Sequence, residues 1–227
     1  MTGFAHARFL LSVASLAQFP LDRGAEVAFA GRSNAGKSSA LNAILGRSAL
    51  ARTSKTPGRT RLLNYFELGT GRRIVDLPGY GYARVSERER LGWEPLLARL
   101  RERRSLRGLF LIVDARREVA ALDLALMDWV DSAPVHVLLT KADKLNRSEA
   151  ARSLKSAQGT LAEGAGSSRV GPTTTTVQLF SAVTREGVDE ARLKLLEWLE
   201  PAAAGGGSAS GGHKKTPGTS GEATGAD

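Results

Sequence analysis

Gly31-Arg32-Ser33-Asn34-Ala35-Gly36-Lys37-Ser38 matches the pattern G-x-x-x-x-G-K-[ST] and stands between a short apolar run and a helical pattern. That context suits phosphate chemistry. Glycines let backbone N–H groups converge on phosphate oxygens and the helix N-terminus adds positive potential, while Lys37 reaches the β- and γ-phosphates and the Ser38 hydroxyl ligates Mg²⁺. Three further segments complete such a site. Asp76-Leu77-Pro78-Gly79 closes an apolar run, where the carboxylate can hold Mg²⁺ through water and the Gly79 N–H can approach a γ-phosphate. Thr140-Lys141-Ala142-Asp143 follows another run, at a carboxyl strand end of the kind where open α/β sheets bind ligands. The Asp143 carboxylate accepts from guanine N1–H and the 2-amino group, and adenine offers neither donor. Phe180-Ser181-Ala182 ends the last run, where backbone N–H groups could meet guanine O6. Taken singly, each has a plainer alternative: a glycine-rich strand-to-helix turn for residues 31–38, a helix N-cap or turn for Asp143.

The elements that must position these residues are legible as alternating patterns. Short apolar runs occur at Val27–Ala30, Arg73–Asp76, Leu109–Val113, Val135–Leu139 and Val177–Phe180. Between them, Lys37–Leu45, Glu87–Arg104, Leu122–Val130, Ser148–Leu161 and Glu186–Leu199 carry apolar residues three to four apart. Continuous apolar strands separated by helices require a mainly parallel sheet buried on both faces. The expected fold is a three-layer α/β domain over residues 21–200 whose sheet, with Leu62–Leu68 added, has six strands. Residues 1–20 read as an N-terminal extension, and residues 163–172 as a Gly- and Ser-rich connection.

Composition narrows the classes. The chain has 227 residues, 42% hydrophobic and 24% charged, which is ordinary globular usage with room for a core. Without cysteine, thiolate chemistry, Cys-ligated zinc and disulfides are excluded, and His6, His136 and His213 are too few for a histidine metal cluster. No segment approaches the ~20 apolar residues that cross a bilayer. Arg8 followed by Phe9–Leu16 mimics a weak signal peptide, yet the same residues suit a core-facing first strand, so a cytoplasmic location is expected. Residues 201–227 are almost entirely Gly, Ala, Ser, Thr and Pro and are expected to be disordered.

With the motifs in place, the chain resembles the TRAFAC-class GTPases and, within them, the bacterial EngB ribosome-biogenesis branch. The residues that carry this are Gly31 to Ser39, Thr53-Ser-Lys-Thr-Pro-Gly-Arg-Thr60, Asp76-Leu-Pro-Gly-Tyr-Gly-Tyr-Ala83 and Thr140 to Asp143. The resemblance covers roughly Phe19 to Leu199. It implies a P-loop, Ras-like fold and slow, Mg²⁺-dependent GTP hydrolysis. It also implies a switch role in assembly of the large ribosomal subunit, on which normal division and septation depend. By the same resemblance Thr60 is the switch I threonine that joins Ser38 on Mg²⁺, with Gly58, Arg59, Thr60, Arg61 and Leu62 folding over the nucleotide. Lys37, Thr60 and Gly79 are then the catalytic set, and catalysis is electrostatic and positional.

Two departures from the wider GTPase pattern have consequences. Tyr80 stands where a Ras-like enzyme has the glutamine that orients water, so intrinsic hydrolysis is expected to be slow. Thr140 replaces the usual asparagine of N-K-x-D, which puts loop-bracing contacts in doubt. Asn34 matches an asparagine that coordinates K⁺ in related enzymes, so potassium stimulation is expected.

The chain carries 32 Lys+Arg against 23 Asp+Glu, a formal charge of +9. That excess favours polyanionic partners. Arg47, Arg52, Lys55, Arg59 and Arg61 border the presumed switch I, and Arg99, Arg101, Arg103, Arg104 and Arg107 gather at the end of the helix after switch II. Their placement offers a route by which the γ-phosphate gates binding to rRNA on the large subunit. The bland alternative is a basic helix end complementing its dipole. No DNA partner is expected, and the protein is read as a monomer. Two rival functions remain open: an ATPase or small-molecule kinase with the same phosphate loop, and an RNA scaffold with an idle nucleotide site. Trp129, Trp198 and His136 read as structural residues. Tyr80 and Tyr82 suit either base stacking or packing.

Overall fold

The computed structural model describes residues 4–51, 62–81, 87–130, 133–164 and 175–200. The expectations for Arg52, Lys55, Gly58, Arg59, Thr60, Arg61, Tyr82 and the 201–227 tail lie outside the described residues. Strands β1 (Arg8–Val13), β2 (Ala25–Gly31), β3 (Leu63–Gly69), β4 (Arg72–Asp76), β5 (Leu106–Asp114), β6 (Val135–Thr140) and β7 (Thr175–Leu179) form one sheet. Helices α1 (Lys37–Leu45), α2 (Glu87–Arg101), α3 (Ala121–Trp129), α4 (Arg147–Gly164) and α5 (Val188–Leu199) cover it. Strand order is β1-β3-β4-β2-β5-β6-β7.

Every residue of β2 is buried because the strand lies between parallel neighbours β4 and β5 and is covered on both faces. Alternate residues supply the two halves of the core. Val27, Phe29, Ile74, Phe110, Ile112 and Leu138 face Leu41 and Ile44 of α1 and Leu195 and Leu199 of α5. Ala28, Ala30, Val75, Leu109, Leu111, Val113 and Val137 face Leu96 and Leu100 of α2, Met127 of α3 and Leu161 of α4. The Phe29 and Phe110 rings stack with centroids 4.7 Å apart at the centre of the first half.

The mainly parallel three-layer architecture is as expected, but the sheet has seven strands rather than six. β1 pairs antiparallel with β3, from Arg8 opposite Glu67 to Val13 opposite Leu63. It is an edge strand, formed by residues that suited a first strand but were counted with the 1–20 extension, because its partner lies about fifty residues away and no local pattern names it. Leu62 precedes β3 instead of opening it.

A second correction concerns the basic cluster. Arg103 is 4% exposed and is bound to Glu26, which is fully buried. Arg103 Nε donates to Glu26 Oε2 at 2.7 Å, and Arg73 Nε donates to Oε1 at 2.9 Å. A carboxylate without water needs such partners, so this arginine is withdrawn from any surface that could meet RNA. Arg99, Arg101, Arg104 and Arg107 remain exposed.

His136 is structural: Thr176 Oγ1 lies 2.6 Å from its Nδ1 and Gln178 Oε1 2.8 Å from its Nε2, and burial holds the imidazole below its ordinary pKa. Trp129 and Trp198 are half-buried rather than fully enclosed. Trp198 lies over Gly108, where a Cβ would come within 2.4 Å of the indole. Gly108→Ala is therefore expected to destabilise the fold by about 1–3 kcal/mol through overpacking, read as a lower urea midpoint, with the loss reduced in a Gly108→Ala/Trp198→Leu double variant.

Candidate functional site

β2, β4, β5, β6 and β7 run parallel, so their carboxyl ends share one edge of the sheet. The four polar segments anticipated from sequence meet along that edge. Gly31 ends β2, and α1 begins at Lys37, with Gly36 at its N-cap in the left-handed region (φ 98°). Asn34 is also left-handed (φ 65°), an uncommon state for a side-chain-bearing residue. Among the described residues, the N–H groups of Asn34 and Gly36 meet no protein acceptor. A turn of this shape, ahead of a helix, presents donors to an anion.

Asp76 ends β4, and Leu77, Pro78 and Gly79 carry the chain alongside the loop. Leu77 N–H donates to the Phe29 carbonyl at 2.9 Å, and Ser33 N–H to the Tyr80 carbonyl at 3.0 Å. Gly79 lies against Ser33 so closely that a Cβ would stand 3.0 Å from Ser33 Oγ. The Lys37 ammonium is paired with the Asp76 carboxylate. The half-buried Ser38 hydroxyl lies in the first turn of α1.

Tyr80 is not presented for stacking. It packs on the core half covered by α2, α3 and α4, and its hydroxyl donates to Asp123 Oδ1 of α3 at 2.5 Å. Burial and that bond push the phenol above its ordinary pKa, so it stays a donor.

On the other side, β6 delivers Thr140, Lys141, Ala142 and Asp143. The Thr140 hydroxyl donates to the Ala35 carbonyl of the loop and lies 3.0 Å from the Val113 carbonyl. The loop brace that threonine at this position put in doubt is thus present. Lys141, left-handed at φ 61°, donates from Nζ to the Asn34 carbonyl at 2.7 Å and to Asp114 Oδ2 at 2.8 Å. Asp143 Oδ1 accepts from Ser181 Oγ at 2.7 Å, and Lys144 Nζ lies 3.2 Å from Oδ2. The Ser181 bond is the main reason its carboxyl sits below the ordinary carboxylate range.

The turn after β7 differs in detail from expectation. Phe180 N–H donates to the Leu139 carbonyl and Ser181 N–H to the Glu186 carbonyl, both at 2.9 Å. Those two donors serve the fold. Of the three backbone donors proposed there, Ala182 alone keeps its N–H without a protein acceptor among the described residues.

Asp114 and Arg116 were not anticipated. Asp114 closes β5 and accepts from Arg116 Nε at 2.9 Å and Nη2 at 2.7 Å as well as from Lys141. Burial opposes its ionisation, and these bonds outweigh burial, holding the carboxyl well below the usual range. A charged residue ending an otherwise buried strand was the available signal. With Ser33, Asn34, Asp123 and Lys141, this pair lines a cleft of ≈130 Å³.

Comparison with known proteins fixes first the class. The family described as 50S ribosome-binding GTPase matches residues 26–141. The crystal structure of a probable GTP-binding protein EngB superposes with a TM-score of 0.56 at 22% identity, covering 77% of this chain and 98% of that one. A bacterial selenocysteine-specific elongation factor superposes at 0.55 and 19% identity, covering 78% of this chain and 29% of that one. Both structural likenesses concern the fold, which is that of a P-loop GTPase. At the level of sequence, the probable GTP-binding protein EngB of Thiobacillus denitrificans is 49% identical over 201 residues, covering 87% of this chain and 93% of the relative. Its counterpart in an Azoarcus species is 46% identical over 211 residues, covering 92% and 98%. The chain belongs to the EngB family of GTP-binding proteins.

Because a hydroxyl donor to a carboxylate favours the charged form, Ser181→Ala is expected to raise the titration midpoint of Asp143. Carbon-13 NMR of the Asp143 carboxyl across acid pH measures it, and an unchanged midpoint would contradict the assigned role of Ser181.

Proposed function

We propose that this protein binds GTP and GDP at the shared edge, hydrolyses GTP slowly with Mg²⁺, and acts in the cytoplasm as a monomeric switch in assembly of the large ribosomal subunit. Normal division and septation depend on it in this reading. One observation carries the nucleotide reading: the segment holding Asp143 is tied to the phosphate loop by Thr140 on Ala35 and by Lys141 on Asn34. A carboxylate suited to guanine therefore sits at a fixed offset from a turn suited to phosphate.

In this reading Gly31 to Ser38 cradle the phosphates, Gly79 meets the γ-phosphate, Asp143 reads the base, and Thr60 with Arg59 and Arg61 belongs to the covering loop. The Ser38 hydroxyl, with the Asp76 carboxylate acting through water, supplies hard oxygen donors too few to hold an ion alone. They fit Mg²⁺, which keeps water and phosphate oxygens as its remaining ligands. Bound there, it neutralises charge on the phosphate oxygens. Lys37 brings a second positive charge to the same place. The Tyr80 hydroxyl is committed to Asp123 and so does not orient water, which supports slow hydrolysis.

Asn34 is exposed on the loop, and its amide oxygen is the proposed K⁺ ligand. GTP hydrolysis is expected to run faster in KCl than in NaCl at equal ionic strength, and equal rates would remove that role.

Of the two arginine groups beside the presumed switches, Arg47, Arg99, Arg101, Arg104 and Arg107 are exposed and open to rRNA phosphates in this reading. Cosedimentation with large ribosomal subunits tests the switch. Pelleting is expected with a nonhydrolysable GTP analogue, and to fall severalfold with GDP, with an ATP analogue or in Lys37→Ala. Equal pelleting in every arm would instead support a scaffold with an idle nucleotide site.

A further inference from the structure

Asp114 belongs to none of the segments read as nucleotide-binding, yet it binds the lysine that ties two of them together. We propose that Asp114, oriented by Arg116, is a positioning residue that fixes Lys141, and with it the guanine-reading turn, against the phosphate loop, so that it sets how long nucleotide stays bound without touching it. The inference rests on the nucleotide reading above.

The need for such a residue follows from donor counting. Thr140 Oγ1 faces two carbonyls, those of Ala35 and Val113, but a hydroxyl has one proton and satisfies one of them at a time. A side-chain amide at that position would bring two. The second tie between base turn and loop is supplied by Lys141, whose ammonium reaches the Asn34 carbonyl. A lysine side chain is long and free to rotate, and its backbone here is in the left-handed region that such residues rarely adopt. Something must hold it. Asp114 Oδ2 does so at 2.8 Å, as a charge-assisted bond, from a side chain that is 6% exposed and is the last residue of a buried strand.

Asp114 is itself fixed. Arg116 donates Nε to Oδ1 and Nη2 to Oδ2, and its backbone N–H adds a bond to Oδ1 at 3.1 Å. These three bonds orient the carboxylate toward the lysine. Val113 and Asp114 together make the end of β5 the platform on which loop and base turn rest.

The competing role is local: Asp114 closing the turn into α3 through the Arg116 backbone. A double-mutant cycle separates the two. The rate of release of a fluorescent GDP is measured for the full chain, for Asp114→Asn, for Lys141→Met and for the double variant. If Asp114 acts through Lys141, Asp114→Asn speeds release about tenfold in the parent and leaves Lys141→Met unchanged. If the two effects multiply, the residue serves the turn alone and the proposal fails. Arg116→Ala, which removes a half-exposed guanidinium, provides the same cycle should Asp114→Asn not fold. Its expected effect is about threefold in the parent and none beside Lys141→Met, and equal effects in both would likewise overturn the proposal. Failure of the parent chain to bind GDP would overturn the nucleotide reading as well, an outcome distinct from multiplying effects.

Discussion

Five parallel strands, the inner ones covered on both faces, leave polar chemistry only one kind of place to go. Within β2, β5 and β6 the side chains fill the two halves of the core, so charged and hydroxyl groups concentrate where each strand runs out. Parallel pairing brings Gly31, Asp76, Asp114, Thr140 and Leu179 to one edge. The phosphate loop, the Asp76 segment, the Asp143 turn and the Ser181 turn are neighbours for that reason, although they are dispersed over 150 residues of chain.

Proximity alone would not give a site of defined shape. Neighbouring segments are also stitched by short polar contacts: Ser33 to Tyr80, Thr140 to Ala35, Lys141 to Asn34, Ser181 to Asp143. Arg185 and Arg192 add bonds to the Ala43 and Ile44 carbonyls, which close the C-terminal end of the loop's own helix. The non-glycine residues with positive φ among those described are Asn34, Lys141 and Arg185, all in these connections. Unfavourable backbone states persist where surrounding contacts over-determine them. Here they hold donors and carboxylates at fixed offsets.

Charge is divided between two ends of the sheet. At the opposite edge Glu26 takes Arg73 and Arg103 out of solvent and secures the start of β2 and β4. Arginines that look alike in sequence therefore have different roles, some neutralising a buried carboxylate and others left exposed. The same holds for tyrosine. Tyr80 spends its hydroxyl on Asp123 of α3, which links the segment containing Gly79 to a helix that also lines the cleft beside the loop.

Much was legible in the chain itself. Apolar runs and three-to-four spacing located β2 to β7 and all five helices, because burial on both faces or on one stripe leaves a periodic record in local sequence. Glycine and lysine spacing located the phosphate loop for an equally local reason. What local sequence does not carry is the partner of a group. Nothing near Arg8–Val13 says that it pairs with β3, nothing near Arg103 says that Glu26 is buried beside it, and nothing near Asp114 says that Lys141 arrives from the next strand. Those assignments depend on which segments the sheet order brings within a few ångströms, and the order is settled only when the whole core packs.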